Sequence, residues 1–133
     1  MEQPVPATQE IGEKRTTILL VEDELLLRWP AAEYLRDAGH RVIEAATVGE
    51  AIAVLSSVRI DIVFSDVNLG DEQSGHELAQ WLGLHRPGVP LLLTSADGTA
   101  RDLTSMAPIR RFLPKPYDLA QVAKTLKEML ASK

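Results

Sequence analysis

Thr17-Ile18-Leu19-Leu20-Val21-Glu22-Asp23-Glu24 sets the fold. A short run that is apolar on every residue after Thr17 stops abruptly in three acids. Strands buried on both faces read this way, without the in-out alternation of a half-solvated antiparallel strand. Toward the carboxyl terminus the same kind of run recurs, separated by amphipathic stretches. From about Leu26 to Ala38, Leu27, Ala31, Tyr34, Leu35 and Ala38 recur at helical spacing, and Gly39 closes the helix. Arg41 to Ala45 is a second, more exposed strand. Thr47 with Glu50 three residues on has capping-box spacing and opens a helix whose inner face is Ala51, Val54 and Leu55.

Ile60 to Ser65 reads as a third strand, followed by a helix from Ser74 to about Leu84 with Leu78, Ala79 and Leu82 inward. Val89 to Thr94 is a fourth strand and Thr99 to Met106 a short helix. Ile109 to Leu113 is a fifth strand, and Asp118 caps a last helix lined by Leu119, Val122, Leu126, Met129 and Leu130. Five strands alternating with five helices predict βα units, hence an α/β fold with a parallel sheet covered on both faces. Pro30 falls inside the expected first helix, where a proline costs about 3 kcal/mol. A start near Arg28 would place it among the first amides, which have no helical partner; a late start or a kink is expected. Trp29 and Trp81 read as residues that pack on helix faces.

Toward the amino terminus, residues 1–15 mix prolines and scattered charges without apolar period and read as a mobile tail, leaving 16–131 as one domain. The whole chain has 133 residues, 45% of them hydrophobic, enough for one core and too few for two domains. With no cysteine, disulfides, thiolate metal sites and a cysteine nucleophile are excluded. A net charge of −5 argues against a nucleic-acid groove. No run approaches the ~20 apolar residues of a membrane span, and the amino terminus lacks the apolar core of a secretion signal. These features predict a cytoplasmic domain with no nucleic-acid or membrane partner.

Ligands of such sheets bind at the carboxyl ends of the strands. Glu22 and Asp23 follow the first strand, Asp66 and Asn68 the third, Thr94 and Ser95 the fourth, Lys115 the fifth. Three carboxylates together repel one another unless a cation joins them. An all-oxygen donor set with few carboxylates suits Mg²⁺. One carboxylate can still act as nucleophile toward phosphorus, and Lys115 and a hydroxyl can meet the phosphoryl oxygens.

Val21-Glu22-Asp23-Glu24, Ser65-Asp66-Val67-Asn68-Leu69, Leu93-Thr94-Ser95-Ala96 and Leu113-Pro114-Lys115-Pro116, in that order, resemble the response-regulator receiver domain of two-component signalling. The resemblance spans residues 16–131. It implies a doubly wound five-stranded sheet in the flavodoxin-like order 2-1-3-4-5. It implies Asp66 as the phosphoacceptor, Asp23 and Asp66 as Mg²⁺ ligands, Asn68 as a ligand through its backbone carbonyl and Glu22 through water. Lys115 would pair with the phosphoryl group. Of the two hydroxyls, the family spacing from Pro90 implies Ser95 as the catalytic and switch residue, although the residues alone leave Thr94 open; Phe112 would be the partner aromatic.

The implied partners are a histidine kinase or histidine phosphotransfer protein as donor and a downstream protein target. A homodimer through the fourth helix, fifth strand and fifth helix is open. The domain would be a self-phosphorylating and self-dephosphorylating switch rather than a turnover enzyme. No output domain follows residue 131, so a stand-alone protein and a piece of a longer chain both fit. The loop after Leu69 departs from the family, with Gly70 in place of proline and about one extra residue before Gly75. These departures touch partner surfaces, so the alternative is a degenerate receiver that binds proteins without phosphorylation. An Asp-x-Asp phosphatase is excluded by Glu22-Asp23-Glu24, and an FMN carrier by the acidic loop where phosphate would sit.

Overall fold

The computed structural model describes residues 15–68, 75–95 and 110–132. Five strands, β1 (Thr17–Val21), β2 (Arg41–Ala45), β3 (Ile62–Asp66), β4 (Leu91–Ser95) and β5 (Arg110–Pro114), form one sheet. Its order is β2-β1-β3-β4-β5, and every neighbouring pair is parallel. Four helices are described: α1 (Leu25–Asp37), α2 (Val48–Ser57), α3 (Gly75–His85) and α4 (Leu119–Ala131). The tail, the loop from Leu69 to Ser74 and the helix expected over Thr99–Met106 lie outside the described residues.

β1, β3 and β4 are buried along their whole length, as the continuous apolar runs require. Side chains alternate between two cores. Leu19, Val21, Val63, Leu91 and Leu93 meet α2 through Val48, Ala51 and Leu55, and α3 through Leu78, Ala79 and Leu82. Ile18, Leu20, Ile62, Phe64 and Leu92 meet α1 through Ala31, Ala32 and Leu35, and α4 through Val122, Leu126 and Met129. The expected caps form. Thr47 Oγ1 accepts from Glu50 N at 3.0 Å, and Asp118 Oδ1 accepts from Gln121 N at 2.7 Å.

The first helix corrects the sequence reading. It starts at Leu25, earlier than expected, and keeps Pro30 in its second turn. Proline removes the N–H that would serve the Leu26 carbonyl, and Leu26 is 87% exposed, so water can serve it instead. The inner face is Ala31, Ala32 and Leu35, whereas Leu27, Tyr34 and Ala38 are exposed. Trp29 does not pack on a helix face: it is 60% exposed. Trp81 does pack, against the α2–α3 core and the ring of His85. Among the described residues no helix is long and apolar enough to cross a membrane.

Candidate functional site

β1, β3, β4 and β5 all end on one edge, and each strand delivers its polar residue there. Asp66 and Ser95 are the last residues of β3 and β4 rather than the first beyond them. Asp66 is 6% exposed and fully engaged. Its Oδ1 accepts from Asn68 N at 3.0 Å, and its Oδ2 accepts from Lys115 Nζ at 2.6 Å. Lys115 sits just past β5, where its own N–H donates to Ser95 O at 3.1 Å, and its peptide bond to Pro116 is cis. Burial pulls the Lys115 ammonium down, but the Asp66 hydrogen bond and charge outweigh it, and the net shift is upward.

Glu22 is 4% exposed and held at three points. Its N–H donates to Ala45 O at 3.0 Å, its carbonyl accepts from Arg28 NH1 at 2.9 Å, and its Oε2 accepts from Glu24 N at 3.1 Å. Lys115 Nζ stands 4.0 Å from Oε1. Burial pushes its carboxyl up to about 7; the Glu24 amide and Lys115 oppose this, while the Asp66 charge and a hydrogen bond with Asp23 add to it. Asp23, beside it, is exposed at the mouth of the site. Negative charge here is therefore only partly compensated.

Gly75 fixes the floor. Its N–H donates to Val67 O at 2.7 Å, and a Cβ on it would lie 2.8 Å from Val67 Cα and 3.1 Å from Asp66 O. Only glycine lets α3 start against the backbone that carries Asp66. Across the β3–β4 ladder Asp66 faces Thr94. Thr94 shares with Glu22, Asp66 and Tyr117 a narrow space that has no room for water, and its buried hydroxyl has no partner among the described residues. Tyr117 packs edge-on against Phe64 with ring centroids 5.7 Å apart, and burial raises its phenol. Ser95 lies on the opposite face of β4 from Thr94. There Phe112, paired with Leu93, is its diagonal neighbour on β5 and packs against the α2–α3 core.

The edge thus brings together Glu22, Asp66 and Lys115, with Asn68 supplying an amide and Asp23 at the rim. Hard oxygen donors fit a Mg²⁺ ion that keeps several waters. Among the described residues, however, no three acidic or histidine side chains converge as a metal cluster, and Lys115 Nζ lies 2.6 Å from Asp66 Oδ2 and 4.0 Å from Glu22 Oε1. Arg28, Glu44 and Tyr117 are site neighbours that sequence reasoning missed. The one signal for Arg28 was an arginine one turn into the helix that leaves an acidic loop.

A further cleft of about 480 Å³ lies at the other end of the sheet, lined by Ser56, Ser57, Arg59, Asp61 and Arg86 among others. Its polar groups are paired within the chain. Ser56 and Ser57 donate to Ile52 O and Ala53 O, Arg86 to His85 O, and Asp61 accepts from Thr17 N.

A family profile described as response regulator receiver domain matches residues 18–127. The sensor kinase CckA of Brucella abortus (strain 2308) is 38% identical over 138 aligned residues, which cover 96% of this chain and 14% of the kinase. The crystal structure of the receiver domain from hybrid histidine kinase CckA superposes with TM-score 0.70 at 34% identity, covering 86% of this chain and 98% of that one. A response regulator receiver protein from Sinorhizobium medicae WSM419 superposes with TM-score 0.81 at 27% identity, covering 90% of this chain and 97% of that one. The chain spans about half or less of the curated relatives it matches, from 14% of the kinase to 51% of a PhoP regulator.

Proposed function

This chain belongs to the response-regulator receiver family, and on that premise we propose that it is a phosphorylation switch with Asp66 as acceptor. The observation that supports this most is the 2.6 Å contact between Lys115 Nζ and Asp66 Oδ2 on an edge where buried acids gather. A carboxylate oxygen of Asp66 attacks the phosphorus of a phosphohistidine on a kinase or phosphotransfer protein. The N–P bond breaks, and the product is an acyl phosphate. Attack of water on that phosphorus later returns the carboxylate and inorganic phosphate.

Asp23, Asp66 and the Asn68 carbonyl would hold Mg²⁺, with Glu22 acting through water. When bound, the ion supplies positive charge to the phosphoryl oxygens. Lys115 leaves its ion pair with Asp66 to meet one of those oxygens. Ser95 meets another, and Phe112, on the same face of the sheet, takes the space that the hydroxyl vacates.

The donor surface is suggested by Leu25, Leu26, Leu27 and Trp29, all exposed and running directly out of the acidic loop. Single exposed leucines need no explanation, but four large apolar side chains exposed within five residues beside a reacting group suggest a contact surface. The domain acts as a cytoplasmic switch and not as a turnover enzyme. Incubation with acetyl phosphate, with and without Mg²⁺, followed by intact mass tests the reading. A phosphoryl adduct on the wild type only with Mg²⁺, lost in Asp66→Asn, is expected. No adduct on the wild type would mean a protein-binding module that has lost phosphorylation.

A further inference from the structure

We infer that Arg28 is a positioning residue for the acidic pair Glu22–Asp23, acting through the backbone of Glu22 with β2 as its anchor. The inference rests on the proposed Mg²⁺-dependent reading of the site. One guanidinium serves two acceptors. Its NH1 donates to Glu22 O at 2.9 Å, and its Nε donates to Glu44 Oε1 at 3.0 Å. Glu44 is braced from its other oxygen by Arg36, 3.2 Å away, and Arg36 also donates to Val42 O at 2.8 Å. The Arg28 and Glu44 side chains are 17% and 25% exposed, so the bridge is largely shielded from water.

Position matters as much as contact. Arg28 N donates to Glu24 O at 2.9 Å, so the residue stands in the first turn of α1, the turn that begins where the acidic loop ends. The Glu22 N–H is already fixed to Ala45 O of β2. Glu44 and Ala45, consecutive on β2, therefore hold the two peptide groups that flank the Glu22 Cα, Ala45 directly and Glu44 through Arg28. Like charges close together repel, and a fixed backbone at Glu22 sets the position from which its side chain reaches the Glu24 amide. A forked guanidinium can span two acceptors in a fixed geometry, which a lysine ammonium cannot. Groups that orient ligating residues commonly cost 10–100-fold in metal affinity when removed.

The test uses the whole chain and Mg²⁺ as the probe. Affinity is read by calorimetric titration, and amide exchange at Glu24 is read by NMR in EDTA. Arg28→Gln should weaken Mg²⁺ about tenfold and speed exchange of the Glu24 amide, which Glu22 Oε2 accepts, while β4 amides keep wild-type protection. Arg28→Lys should fall between the two. Glu44→Gln, which leaves Arg28 in place without its anchor, should weaken Mg²⁺ by a smaller factor and keeps the test open if Arg28→Gln does not fold. Wild-type Mg²⁺ affinity and Glu24 exchange in folded Arg28→Gln, or in Glu44→Gln where Arg28→Gln does not fold, would overturn the inference and leave the site reading intact. A wild type that binds no Mg²⁺ at all would overturn the site reading, and the inference with it.

Discussion

The two ends of the sheet carry similar numbers of polar groups and treat them in opposite ways. At the amino end, Arg59 and Arg86 are open to water, Asp61 is half-buried and accepts from Thr17 N, and the Ser56 and Ser57 hydroxyls donate to nearby carbonyls. At the carboxyl end, burial, with the Asp66 charge adding to it, raises the Glu22 carboxyl to about 7, and among the described residues the Thr94 hydroxyl finds no partner. Satisfied, solvated polar groups cost little and do little. Buried, under-compensated ones cost stability and are held in place only by the surrounding structure, which is the usual mark of a working site.

The sharpest way to break this contrast is to remove the cation paired with Asp66. Lys115→Ala leaves Asp66 buried without its charge partner, a change that costs about 3 kcal/mol when a buried pair loses one member. Melting in EDTA should fall by about ten degrees and recover in millimolar Mg²⁺. The variant should bind Mg²⁺ as well as the wild type or better, because a competing cation has gone; tenfold weaker binding would contradict the role given to Lys115. Gly75→Ala comes next. Its new Cβ would press on the backbone of Val67, for a loss of about 2 kcal/mol by overpacking. Slower labelling by acetyl phosphate should accompany the loss, since that backbone carries Asp66. Unchanged melting would mean α3 can shift freely off β3.

A pH series sharpens the contrast without touching the metal. Glu22 holds its proton to about 7 in the fold against an ordinary value of 4.5. The folded chain therefore binds more protons than the unfolded one across that window. The stability this adds is whole below 4.5 and is lost as pH rises through 7. Melting in EDTA should drop by a few degrees between pH 5 and pH 8, and Glu22→Gln should flatten the drop. A wild type that melts higher at pH 8 would reverse the sign and contradict the burial of Glu22. The smallest effect belongs to the other end: Arg59→Ala should shift stability by less than about 0.5 kcal/mol and leave acetyl phosphate labelling unchanged.

Much of this was legible in the residues because strands buried on both faces leave a sharp apolar-to-polar boundary. Val21-Glu22 marks such a boundary at β1, and the strand order and the shared edge follow the resemblance. Helix α1 was harder. Leu25-Leu26-Leu27 is apolar at every phase, so periodicity could not say which leucine turns inward, and in the fold none of the three is buried. The hold on Glu22 was invisible for another reason. It runs from a side chain to a carbonyl six residues back and to a carboxylate sixteen residues on, and no pattern along the chain encodes it.

Mapping Mg²⁺ onto the folded chain by ¹H–¹⁵N NMR compares the two ends in one titration. The account predicts saturable amide shifts at Glu22 to Glu24, Asp66 to Asn68 and Lys115, with residues 56–61 and 86–89 unmoved. Shifts centred on the amino-end cleft, or no shift at the carboxyl edge in millimolar Mg²⁺, would contradict it.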